Sequence, residues 1–374
     1  MSAWPGKTVI GLTGNIATGK SVVRKMLEHL GAYGIDADAL SHRAIAIGAP
    51  GYEKVIETFG KWIVNADGQI DRAKLARIVF SDPNALKQLE NIIHPLVRQA
   101  EDLLIRRSTQ NVIVVEAIKL LESGFGKMCD QVWVTVASPE TQYQRLIRKR
   151  GMTPETALLR IQAQPPQEEK TKAAQVVIRN DGSFEDTWRQ VVAGWKSLIP
   201  ETHAQAAVAE TTGILIQRAK PNQAQEIADL IRQYTNGKRD LSREAIMESF
   251  GEKAYLLLRI DGRLRGLVGW RVENLVARVD DVYLDPNLPF EQAAEKMMSE
   301  VELASRELQC EAALMFLDPQ MSAYRELWQK MGYRESSIQS LGVRAWQDAA
   351  VESLPAGAVL WFKRLREDLV LKPV

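Results

Sequence analysis

The sequence predicts an α/β core with a parallel sheet covered on both faces, followed by an α+β half with antiparallel strands. Three observations carry this. Short β-branched runs alternate with helical stretches over the first 200 residues, a strand–loop–helix with two framing glycines opens the chain, and hairpin-linked apolar runs appear only after residue 250. Thr8 to Leu12 is a short apolar strand, and after a Gly-containing turn Val22 to Leu30 has helical spacing. A second strand ends at Ile35-Asp36-Ala37-Asp38. Val112 to Val115 and Val132 to Val136 are further strands, with a helix over Pro139 to Arg150 after the latter. Strands alternating with helices build parallel sheets. In the second half, Ala254 to Ile260 and Leu264 to Val272 flank the turn Asp261-Gly262-Arg263, Val276 to Leu284 makes a third strand, and helical patterns at Gln223–Tyr234 and Phe290–Leu308 bracket them.

Three hundred and seventy-four residues, 45% hydrophobic and 25% charged, exceed one ordinary core, so two domains are expected. Residues 1–200 carry 26 basic and 21 acidic side chains. Out of 48 and 47 in total, 22 and 26 are left for the remainder. The small-residue stretch 201–212 separates the halves as a linker, giving domains 1–200 and 213–374 with few contacts expected between them. A net charge of +1 offers no field for duplex DNA or an anionic membrane, and no run approaches the roughly 18 apolar residues of a membrane span. Nucleic-acid and membrane roles are therefore not expected. Two distant cysteines, Cys129 and Cys310, make neither a disulfide framework nor a zinc site, and with no secretory leader a reducing cytoplasm is the expected location.

Gly14-Asn15-Ile16-Ala17-Thr18-Gly19-Lys20-Ser21 matches G-x-x-x-x-G-K-[ST] between a strand and a helix. The glycines let backbone N–H groups turn inward around a β-phosphate, and the helix N-terminus adds a favourable dipole. Lys20 supplies a cation to the β and γ oxygens, and Ser21 is the expected Mg²⁺ ligand. ATP and Mg²⁺ are accordingly the expected cofactors. The loop alone does not choose an acceptor. Asp36 and Asp38, at i and i+2 of an extended chain, put two carboxylates on one side, where one could face an acceptor hydroxyl. The same pair could instead cap the helix that follows. Arg145 and Arg148 share a helix face, and an Arg over the phosphates would stabilise the charge that develops there.

Gly11-Leu12-Thr13-Gly14 with the phosphate loop, Asp36-Ala37-Asp38, Phe80-Ser81-Asp82-Pro83, His94-Pro95, Ser138 to Gln142 and Val177 to Ser183 follow in an order and at intervals that resemble dephospho-coenzyme A kinase over about residues 7–198. The resemblance implies a P-loop NTPase kinase core with a helical substrate domain and a mobile lid, which transfers the γ-phosphate of ATP to the ribose 3′-hydroxyl of dephospho-CoA. It implies Asp38 as catalytic base, Lys20 and Ser21 as phosphate and Mg²⁺ ligands, Arg145 near the phosphates, Asn180 at the adenine, and Asp36 and His94 at the substrate. Where the family commonly has V-D-V-P-L-L-F-E, this chain has Val114 to Glu122 without the proline, placing Lys119 in the substrate wall, where it could meet the pantetheine-side diphosphate or remain a surface lysine. Pro165-Pro166 and Arg179 also depart from the family's lid and adenine segments.

Residues 214–367 resemble an N-acetyltransferase domain of the Gcn5-related family, most closely over Ala323 to Tyr333. Acetyl-CoA or CoA is the ligand this implies. However, Asn287 to Ala293 has no glycine, Pro289 deletes an amide, and Glu291 brings a negative charge toward where the diphosphate would lie, so poor acetyl-CoA binding is expected. Tyr324, Trp328, Trp346 and Trp361 read as packing residues. Two other readings stay open: a P-loop kinase of another small acceptor, and a nucleotide-switched binding protein. The sequence leaves the oligomeric state open.

Overall fold

The computed structural model describes residues 3–199 and 213–371; the proposed linker 201–212 lies outside them. The first half is a five-stranded, all-parallel sheet of order β2-β3-β1-β4-β5. Its strands are β1 (Thr8–Gly14), β2 (Tyr33–Asp36), β3 (Val112–Glu116), β4 (Gln131–Val136) and β5 (Val176–Arg179). Its helices are α1 (Lys20–His29), α2 (Ala37–Ala44), α3 (Tyr52–Phe59), α4 (Arg72–Ser81), α5 (Pro83–Arg107), α6 (Pro139–Arg150), α7 (Pro154–Gln162), α8 (Gln167–Thr171) and α9 (Phe184–Leu198). Continuous apolar burial along β1 and β3 reflects a sheet covered on both faces, as their Val- and Ile-rich runs require. Helices α2–α5 all lie between β2 and β3. Here α5 runs unbroken through Pro95, so His94 is a mid-helix residue. Pro95 removes only one helical N–H bond in a helix of 25 residues.

The second half is a seven-stranded sheet of order β11-β12-β10-β9-β8-β7-β6. The strands are β6 (Ile214–Arg218), β7 (Ala254–Ile260), β8 (Arg263–Glu273), β9 (Val276–Leu284), β10 (Ala312–Leu317), β11 (Arg334–Glu335) and β12 (Val359–Arg364). The accompanying helices are α10 (Ala224–Tyr234), α11 (Arg243–Ser249), α12 (Phe290–Glu307), α13 (Pro319–Ser322), α14 (Arg325–Lys330) and α15 (Arg344–Ser353). The sheet is antiparallel from β6 to β9, as the hairpin signals predict, but β10 pairs parallel to β9 because the connection runs back through α12. Trp328, Trp346 and Trp361 are core, as expected. Tyr324 is not: it is 40% exposed and stacks on Phe290 with ring centroids 4.3 Å apart.

The expectation of few contacts between the halves is not met. Arg43 on α2 pairs with the fully buried Glu311 at 2.5 Å and donates to Asn274 O. Lys25 Nζ donates to Val272 O, His29 Nε2 lies 2.7 Å from Phe250 O, and Arg107 pairs with Asp368. Leu275, Leu308, Val370 and Leu371 pack on the core of the first half. Asn274 and Leu275 both have positive φ, 52° and 61°, closing the tight β8–β9 turn. A branched side chain in that region is strained, and Leu275 is held there by its packing against the first half. Among the described residues, no helix is long and apolar enough to cross a membrane.

Candidate active site

The loop between β1 and α1 folds as its glycines dictate. Gly14 has φ 155° and a Cβ there would lie 2.4 Å from Thr135 O; Gly19 has φ 92° and a Cβ would lie 1.9 Å from Asn180 Nδ2. Both positions therefore exclude a side chain. Lys20 is buried and donates to Gly14 O at 3.1 Å and Asn15 O at 3.3 Å, across the loop it closes. Burial lowers its pKa against the opposing pull of Glu116 and Asp38. Thr18 Oγ1 and Thr135 Oγ1, 2.8 Å apart, pin the loop to β4.

Ser21 Oγ donates to Glu116 Oε1 at 2.7 Å, and Glu116 Oε2 accepts from Arg24 Nε at 2.7 Å. Glu116 ends β3, buried beside β1 and in register with Asp36 on β2. Arg24 also binds Glu28 at 2.7 Å and approaches Asp36 at 3.8 Å. Although burial opposes it, Glu28 and Glu116 hold the Arg24 charge firmly. Ser21 and Glu116 are hard oxygen donors beside the phosphate loop, a set that would suit a Mg²⁺ ion.

The two carboxylates do not lie on an extended chain as expected. Asp36 ends β2 and its side chain accepts from Ala39 N at 2.9 Å, capping α2; Asp38 lies in that helix's first turn. The capping alternative is thus realised by Asp36, which turns Asp38 toward β3, where its Oδ2 accepts from Ile118 N at 3.3 Å. Burial, and then repulsion from Asp36, push the Asp38 carboxyl up to about 6. Asp38 lines a cleft with Ser41, His94, Arg98, Glu101 and Lys119. That cleft joins three residues far apart in the chain that the sequence reading had singled out. Lys119 is half exposed and paired with Glu90 at 2.7 Å, so its charge is partly engaged. Glu101 is buried and burial pushes its carboxyl up to about 8.

Arg145, on α6, does not reach out from a lid in this arrangement. It donates to Ala17 O at 3.1 Å and Asn180 O at 2.8 Å, bracing the phosphate loop from behind. Asn180 is buried and donates to Thr18 O at 2.9 Å while accepting from Thr187 Oγ1, so its amide supports the loop rather than standing free for an adenine. The segment joining α7 and α8 lies on the loop: Gln164 Oε1 accepts from Ile16 N at 2.7 Å and Pro165 O accepts from Asn15 Nδ2 at 2.8 Å. Lys170 on α8 is buried, donates to Ile118 O at 2.8 Å, and has its pKa lowered by burial. Sequence reasoning missed Glu116, Arg24 and Lys170. Only Glu116 carried a signal, as the carboxylate ending a strand that neighbours the phosphate loop.

A strand-to-helix phosphate loop with a buried lysine, a serine–carboxylate pair at its exit and a separate carboxylate in a neighbouring cleft, on a five-stranded parallel sheet, fit a P-loop kinase. The dephospho-CoA kinase family profile matches residues 8–186. A dephospho-CoA kinase of Symbiobacterium thermophilum is 43% identical over 194 residues, half of this chain and 80% of the relative. One of Aquifex aeolicus is 45% identical over 190 residues, half of this chain and 96% of the relative. For the second half, a solved N-acetyltransferase of Thermoplasma acidophilum, in complex with coenzyme A, is 12% identical at a TM-score of 0.32, covering 41% of this chain and 99% of that one. The chain belongs to the dephospho-CoA kinase family. It is a phosphotransferase of the last step of coenzyme A biosynthesis, with the second half appended.

Proposed function

We propose that Asp38 is the general base for transfer of the γ-phosphoryl group of ATP to the ribose 3′-hydroxyl of dephospho-CoA. The observation that supports this is the placement of Asp38, with its raised pKa, at the head of the cleft it shares with His94 and Lys119. A carboxylate of pKa near 6 is ionised at neutral pH yet basic enough to take the hydroxyl proton as the bond to phosphorus forms. Lys20 and the loop amides bind the β- and γ-phosphates, and Lys170 adds a second buried cation facing Asp38 and Lys20. Ser21 and Glu116 would hold Mg²⁺, which when bound neutralises charge between the β- and γ-phosphates. Arg145 and Asn180 keep the loop in shape, His94 lines the acceptor side, and Asp36 fixes the helix that carries the base. Gln164 occupies a loop amide that phosphate would use, so ATP entry requires it to yield.

The test is a pair of isosteric changes. Asp38→Asn removes the proton acceptor, so kcat falls roughly 100-fold or more with the KM for ATP little changed. Asp36→Asn retains a good capping side chain and costs far less. The reverse order would assign the base to Asp36.

For the second half we propose a brace on the kinase rather than a transferase. Phe290 stacks on Tyr324 and stands edge-on to Trp328 beside the glycine-free loop, whose Asn287 is tied to Asp285. The expectation is that residues 213–374 bind acetyl-CoA poorly, and calorimetry showing micromolar binding would reverse that reading.

A further inference from the structure

At the junction of the halves, away from the phosphate loop, lies a cleft of about 880 Å³. Its walls are the end of α2 and the following loop on one side, and β11, β12 and the start of α15 on the other. The volume falls within the roughly 300–1,000 Å³ usual for small-molecule sites. Among the described residues, five basic ones line it, Arg43, Arg334, Arg344, Lys363 and Arg364, and no Asp or Glu does. Arg43 and Lys363 are engaged by Glu311 and Glu302. Among the described residues Arg344 pairs only with Asp348, one turn along its own helix. Among the described residues Arg334 has a ring contact with Phe362 and no carboxylate, and Arg364 donates only to backbone carbonyls.

Two further features point to an acceptor-rich ligand. The first turn of α15, which lines the cleft through Val343, Arg344 and Ala345, has no capping side chain and no acidic residue, so its amide dipoles face an uncompensated site. Trp346, 5% exposed and part of the same wall, has an indole N–H with no acceptor among the described residues. A buried donor left unpaired is costly, and a ligand that draws the ring toward the cleft relieves that cost.

We propose that this cleft binds a small molecule carrying two or more phosphate groups. Arg334 and Arg364 bind phosphate oxygens, the first turn of α15 accepts another, and the apolar faces of Trp346 and Phe362 form the floor. Arg43 links the site to α2, the helix of Asp38.

The probe is inorganic tripolyphosphate, titrated by calorimetry and by tryptophan emission into the full chain carrying Lys20→Ala to weaken the phosphate loop. One molecule binds per chain, with a change in emission. Adding Arg334→Gln and Arg364→Gln weakens binding about tenfold or more, the loss expected for two charge-assisted contacts. Trp346→Phe weakens it a few-fold and removes the emission change. Thermal unfolding of each variant, expected within a few degrees of the parent, shows that the fold persists. ATP in place of tripolyphosphate distinguishes sources: tighter binding of ATP means a nucleotide is read, equal affinity that the phosphates alone are. No binding in the parent, or binding unchanged by the Arg334 and Arg364 substitutions in folded protein, overturns the proposal.

Discussion

Replacing Arg43 by alanine tests whether the second half is part of the kinase. The guanidinium makes two bonds to Glu311, at 2.6 and 2.5 Å, and one to Asn274 O at 2.8 Å. The Glu311 side chain is fully buried, and without Arg43 its remaining hydrogen-bond partner among the described residues is the Val370 N–H at 3.0 Å. An uncompensated buried carboxylate costs about 3–5 kcal/mol, well above the roughly 1 kcal/mol of an exposed pair. In a domain of this size that lowers the unfolding midpoint by about 10 °C. Arg43 sits five residues after Asp38 on an eight-residue helix, so CoA formation falls together with stability. Arg43→Met combined with Glu311→Gln removes both charges, keeps an acceptor for Val370, and recovers most of the loss. The assay is thermal unfolding of the single and double variants alongside turnover. A single variant within 1 °C of the parent, or a double variant no better than the single, refutes the reasoning.

Lys20→Ala should abolish transfer with the fold intact, since the charge matters most as the γ-phosphoryl group leaves; near-normal turnover would remove Lys20 from the site. Glu116→Gln keeps the shape but weakens both the bond from Ser21 and the hold on Arg24, so kcat should fall roughly 100-fold, with a higher Mg²⁺ requirement in a metal titration. Deleting residues 200–374 exposes the surface that Leu275, Leu308 and Val370 cover, so the shortened chain should be less soluble and less active than the whole, read by sedimentation and CoA formation. His29, buried against Phe250 O, has its pKa lowered by burial to about 4. Its neutral form contributes stability above the ordinary value near 6.5, and that stability is lost as pH falls from there toward 4; His29→Gln should flatten this part of the curve.

The phosphate loop was legible because its chemistry is contiguous: backbone amides, two framing glycines and Lys20 fall within eight residues. The parallel core was legible from β-branched runs, and the hairpin from Asp261-Gly262, whose positive φ values the structure bears out. Asp38 was reached, but its setting was misread, since the alternation of a strand stops where the Asp36 side chain bonds Ala39 N and starts a helix. Glu116 pairs with Ser21 across 95 positions, and no spacing rule spans that distance. Lys170 looks like any solvent-facing lysine until its burial is known. The interface was illegible for the same reason: Arg43 and Glu311 are 268 residues apart, and a small-residue linker says nothing about surfaces that meet elsewhere.

The base assignment is tested most directly by the pH dependence of kcat/KM for dephospho-CoA in the parent and in Asp38→Asn. With the Asp38 carboxyl raised to about 6, a base at this position acts only in its ionised form. Log kcat/KM should rise with unit slope up to about pH 6 and level off above it, and the residual activity of Asp38→Asn should lack that limb. A parent profile flat from pH 5 to 7, or the same limb persisting in Asp38→Asn, would contradict Asp38 as the base.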